Sequence, residues 1–157
     1  MSDQNIKNIF TVIFAISFFS LTAALYVEYI LGFKPCILCI YQRIPYGIAL
    51  LISLCAFSTD NKKMLLVILA LTFMASALIS GYHVIIEKGL IEPIFSCTGD
   101  NINSLEKDEI LKSLNDIQPD CKDVDFSLFG ISLATLNLIN SFVLTVVIVY
   151  ILKYAKK

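Results

Sequence analysis

Four stretches of this chain are each long and apolar enough to cross a lipid bilayer, and that limits the fold more than any other feature. They run from Ile9 to about Leu31, from about Ile40 to Phe57, from Met64 to about Ile86 and from about Leu128 to Leu152. A spanning helix needs roughly 20 largely apolar residues. No water is present in the bilayer core to satisfy a stray N–H or C=O, so each stretch is read as a helix. With 57% hydrophobic and 16% charged residues, the 157-residue chain is too apolar for a soluble domain. Its net charge of −1 gives no basis for nucleic-acid binding. We expect one all-α membrane domain over residues 1–157, an antiparallel bundle of four transmembrane helices. The first stretch exceeds the length of a signal-peptide core and lacks a small-residue cleavage pattern, so it is read as a retained span.

Charge orients these spans. Lys7, Lys62, Lys63, Lys153, Lys156 and Lys157 flank the cytoplasm-facing ends of this arrangement, against only Asp3 and Asp60. The connection from Glu87 to Asp125 holds ten acidic residues and four lysines. By the positive-inside tendency both termini and the 58–63 loop face the cytoplasm, and the 32–39 and 87–127 loops face outward. That puts Cys36, Cys39, Cys97 and Cys121 together on the outer side, where disulfides persist. The spans and the charge bias owe nothing to the cysteines, so the agreement is independent. Within the long loop, Asn103 followed by Glu106 has the form of a helix start, and Leu105, Ile110, Leu111, Leu114 and Ile117 recur at roughly helical spacing. A short amphipathic helix on the membrane surface is expected there, ended by Pro119.

Cys36 and Cys39 are separated by two residues, at the start of the second span. Pro35 fixes φ at about −65°, which suits a helix start. A thiol in the first turn of a helix is favoured as thiolate by the helix dipole. So small a loop gains little from a structural cross-link, which favours a redox pair over a staple. A zinc site would need two more soft ligands. Cys97 and Cys121, separated by 23 residues, read by themselves as a structural staple, and opposite a second outward dithiol as a second redox pair. Arg43 lies four residues after Cys39 on the same helical face, on the side where arginine is less common. A cation there can stabilise a Cys39 thiolate or the anion of a reduced acceptor. The only histidine, His83, sits near the outer end of the third span and is a candidate for proton handling. Cys55 is read as a packed, reduced thiol. Tyr26, Glu28 and Tyr29 are read as an interfacial belt.

These motifs resemble those of the disulfide bond formation protein B (DsbB) family. The likeness rests on the run Lys34 to Arg43 around the cysteine pair, on Tyr82-His83 with Glu87 and Gly89, on Cys97 and Cys121, and on Phe129 to Leu133 leading into the last span. It covers nearly the whole chain in order. The resemblance implies a thiol:quinone oxidoreductase of the bacterial inner membrane that reoxidises a soluble, thioredoxin-like (DsbA-like) thiol oxidase and passes the electrons to ubiquinone or menaquinone. Carried over by position, Cys97 is the cysteine attacked by the partner, Cys121 its disulfide mate, Cys36 the next acceptor and Cys39 the thiolate that meets the quinone. Arg43 and His83 would flank the quinone ring. The chain departs from the family at Leu133, Ala134 and Leu136, where Met, Pro and Trp are frequent, and it has no tryptophan. The vitamin K epoxide reductase family also joins a helix bundle to such a pair, but places it before the last bundle helix rather than after the first span. The reading from a different class is a non-enzymatic membrane protein whose outer loops are held by structural disulfides. A third is a metal site built from the four outer cysteines.

Overall fold

A computed structural model describes residues 3–91, 121, 127, 128 and 130–154. Four helices dominate it: α1 (Asp3–Tyr29), α2 (Ile37–Cys55), α3 (Lys62–Glu87) and α4 (Leu133–Tyr154). All four are long and apolar enough to cross a membrane. The expected four-helix membrane bundle is therefore the fold. Cys97 and the helix expected over 103–117 lie outside the described residues.

The helix ends differ from the sequence reading for local reasons. α2 begins at Ile37, ahead of the expected Ile40, because Cys36 takes an extended N-cap conformation (φ −69°, ψ 166°). Its carbonyl accepts the first helical bond, from Ile40 N–H at 3.3 Å. α4 begins at Leu133 rather than near Leu128. The intervening residues form a short antiparallel pairing of β1 (Ser127–Leu128) with β2 (Ile131–Ser132). Gly130 closes that turn at φ 81°, a conformation that suits glycine because it has no Cβ. Ser132 then caps α4, its Oγ accepting the Thr135 N–H at 3.2 Å.

α3 packs most extensively on α4, while α2 lies against both α1 and α3. The apolar core gathers Phe10 and Ile13 of α1, Tyr46 and Ala49 of α2, Leu66, Leu69 and Phe73 of α3, and Leu144 and Ile148 of α4. Along each helix these positions sit toward the end that carries the N-terminus and the 58–63 loop. Tyr46 and Phe73 meet edge to face with ring centroids 5.8 Å apart. Ser53, Ser76, Ser80 and Ser141 are fully buried between helices. Small side chains let helix backbones approach closely where lipid removes the usual hydrophobic incentive to pack. Large apolar side chains such as Leu51, Leu78 and Phe142 point outward, as a lipid-facing surface requires. At the opposite end of the bundle a second, smaller buried cluster forms around the cysteine pair.

Candidate functional site

The N-cap and third residue of a helix face one another, the geometry that capping boxes exploit. Here both positions are cysteines, Cys36 and Cys39. Their sulfurs lie 3.3 Å apart as thiols, so a disulfide of about 2.05 Å needs only a small closing motion. Cys36 donates its S–H to the Cys39 sulfur. That bond first, and burial second, push the Cys36 thiol from its ordinary 9.0 up to about 12, while the nearby imidazole of His83 acts in the opposite direction. The proton shared by the two sulfurs is thus held on Cys36.

His83 comes from α3, one turn before its end, and is 3% exposed. Its Nε2 lies 3.6 Å from the Cys36 sulfur and 3.8 Å from Glu87 Oε1. Its Nδ1 lies 2.9 Å from Gln42 Nε2. The ligand atoms of Cys36, Cys39 and His83 all fall within 4.8 Å of one another. Cys121 is buried in the same cluster as Cys36, Leu38 and Ile86, with Cys39 and Tyr82 packed against it. Three of the four cysteines expected to carry chemistry therefore converge at one end of the bundle.

Beside this cluster opens a cavity of about 960 Å³. Cys36, Cys39, Arg43 and His83 line it together. Its apolar walls include Phe19, Val27, Leu31 and Phe33 from the α1 side, and Leu133, Ala134 and Leu136 from α4. The last three are the positions at which the sequence departs from the DsbB pattern. A concave, mostly apolar space of this size with a few convergent polar groups has the character of a small-molecule site.

Several site residues were not foreseen. Glu28 is not simply part of an interfacial belt: its carboxylate accepts a hydrogen bond from the Arg43 guanidinium, and it also lines the cavity. Glu87 accepts a 2.6 Å bond from Ser132 Oγ, which joins α3 to the cap of α4. Gln42, Tyr46, Asn137 and Asn140 form a polar layer beneath the cysteines and also reach the cavity wall. The available signal was the presence of Gln42, Asn137 and Asn140 inside otherwise apolar runs, where a polar side chain has to find a partner across the helix interface.

A protein-family model described as "Disulfide bond formation protein DsbB" matches residues 6–151. An uncharacterized protein of Rickettsia prowazekii (strain Madrid E) is 31% identical over 149 residues, covering 92% of this chain and 87% of that protein. The SPbeta prophage-derived disulfide bond formation protein B of Bacillus subtilis (strain 168) is 40% identical over 92 residues, 55% of this chain and 58% of that protein.

Proposed function

The chain belongs to the DsbB family of disulfide bond formation proteins, and from that premise we propose that it is a dithiol:quinone oxidoreductase. In this reading it reoxidises a periplasmic, thioredoxin-like partner of the DsbA type. Cys97 takes the partner's thiolate attack, Cys121 is its mate, and Cys36 and Cys39 pass the electron pair to a quinone dissolved in the bilayer. The observation that carries the reading is the convergence of Cys36, Cys39 and Cys121 beside a largely apolar cavity that Arg43 and His83 also line.

The chemistry balances without further reagents. Two thiols become one disulfide and give up two electrons and two protons. A quinone held in the cavity beside Cys39, Arg43 and His83 would supply the sink for both, as the two-electron, two-proton acceptor. Each handover between proteins or pairs is a thiolate attack on a disulfide, which forms one S–S bond and releases another sulfur as thiolate. The chain's own groups prepare these steps. Cys36 holds the shared proton and leaves Cys39 as the sulfur better able to act as thiolate. Arg43, balanced by Glu28, brings positive charge to the cavity wall. His83 and Glu87 lead from the dithiol toward Ser132 at the end of α4, a path by which protons can move between the thiols and the outer side. Leu133, Ala134 and Leu136 bear on which quinone, ubiquinone or menaquinone, is preferred.

In this reading the protein lies in the bacterial inner membrane, as the resemblance to DsbB implies, and the lysine bias favours cytoplasmic termini and periplasmic cysteine loops. Trapping tests the partner step. With a reduced thioredoxin-like oxidase that keeps only its attacking cysteine, the oxidised unaltered protein should accumulate a mixed disulfide through Cys97 as Cys121 leaves as thiolate, and Cys97→Ser should form none. A partner adduct that persists in Cys97→Ser contradicts this assignment. The closeness of Cys36, Cys39 and His83 also suits a soft metal ion. Stoichiometric zinc in the purified reduced protein would favour that second reading.

A further inference from the structure

The polar layer under the cysteines has a direction, and that direction is fixed by one atom that can only accept. Ser80 Oγ lies 2.8 Å from the main-chain carbonyl of Ser76, one helical turn earlier, and donates its single proton there. It has none left for Asn137, so Asn137 must face Ser80 with its amide nitrogen, 2.7 Å away. The second proton of that nitrogen goes to Gln42 Oε1 at 3.1 Å. The Asn137 oxygen is turned the other way and accepts from the Tyr46 hydroxyl, whose own oxygen accepts from Asn140 Nδ2 at 2.9 Å. With its oxygen committed to Asn137, Gln42 presents N–H to His83 Nδ1. A ring nitrogen that accepts carries no proton.

We propose that Gln42 and Asn137 are positioning residues that hold His83 in the tautomer with its proton on Nε2, aimed at the Cys36 sulfur and Glu87. All the donors between the Ser76 carbonyl and the imidazole are used in one consistent sense, and turning Asn137 over would set two acceptors, its own oxygen and Ser80 Oγ, against each other. Gln42 is 6% exposed and Ser80 fully buried, so both flanking members of the network are held by protein partners. The consequence for the reaction rests on the thiol relay proposed above; the tautomer itself does not. Whenever Cys36 is released from a disulfide as a thiolate, an Nε2–H meets it as a donor. The other tautomer would present a lone pair to that negative sulfur.

The chain has a single histidine, so nitrogen NMR of the full-length reduced protein in lipid nanodiscs, with ring-labelled histidine, reads this site without assignment. The expected spectrum has a pyridine-like Nδ1 and a pyrrole-like Nε2. Gln42→Glu places an acceptor opposite Nδ1 and should move a proton onto Nδ1. Asn137→Asp, which does not touch His83, should do the same by turning the Gln42 amide over. Movement in either variant supports the proposal. A protonated Nδ1 in the unaltered protein, or an unchanged pattern in both variants, overturns it. The same variants should slow thiol exchange at Cys36 by roughly ten- to a hundredfold, as loss of one hydrogen bond to a charged group does. An unaltered protein with the expected spectrum but no quinone reduction would refute the relay and leave the tautomer standing.

Discussion

At the scale of single residues, the two cysteines of the CxxC pair are chemically unequal although their sequence surroundings are alike. Cys36 is the N-cap and keeps its proton through the bond to the Cys39 sulfur and through burial. In the reduced protein, alkylation of Cys36 should therefore stay slow until the pH approaches about 12. Cys39→Ala removes the first of those causes, so the onset of Cys36 alkylation should move to lower pH. A mass-spectrometric pH profile of the two proteins checks this, and identical profiles would refute the account. The linked stability has a definite sign. A thiol whose folded pKa is raised contributes stability that is complete below its unfolded pKa and lost as pH rises through the folded one. The reduced form should lose that contribution between pH 9.0 and about 12. Arg43 presents a second inequality, because its charge is balanced by Glu28 rather than by lipid headgroups alone.

At the scale of elements, the site exists because three helix ends are stopped at defined residues. Cys36 starts α2, Glu87 ends α3, and Ser132 starts α4 after the turn at Gly130. Gly130→Val places a β-branched residue in the left-handed region and should cost about 1–2 kcal/mol, measured by unfolding in mixed micelles. A stability loss within error of zero would mean that the turn does not constrain α4. Packing of α3 on α4 is set by serines: Ser76 Oγ and Ser141 Oγ lie 2.9 Å apart with no exposed surface. Ser141→Leu overpacks that contact and should cost about 1–3 kcal/mol. It should also disturb the Tyr46 and Asn137 bonds that support the site. The cysteine pair, the proline before it, Arg43 one turn on and the lone histidine were all legible in the sequence, because their meaning is carried by local spacing. The Glu28–Arg43 pair and the bond from Asn137 to Gln42, 95 residues apart, were not. In a soluble bundle an apolar stripe would reveal which helix faces meet. In lipid the outward face is as apolar as the inward one, so the lateral order of helices leaves little trace in the residue pattern.

At the scale of the whole molecule, the bundle divides into a tightly packed apolar end and an end that holds the dithiol and the cavity. In the proposed orientation the packed end faces the cytoplasm. Asp60→Cys and Leu90→Cys, each placed in a variant without its native cysteines, should separate under a membrane-impermeant thiol reagent on intact cells. Leu90→Cys should label and Asp60→Cys should not, and the reverse pattern would invert the orientation. In the orientation proposed above, the dithiol lies at the outer end of the bundle beside an apolar cavity, an arrangement that suits the proposed thiol-to-quinone transfer. The most direct test of that transfer is anaerobic. A reduced thioredoxin-like oxidase and a soluble quinone analogue are added to the purified protein, and quinone absorbance is followed. Quinone should be consumed by the unaltered protein and not by Cys39→Ser or Cys97→Ser. Quinone consumption that survives Cys39→Ser, or none at all with the native chain while its cysteines remain locked against the partner, would contradict the account.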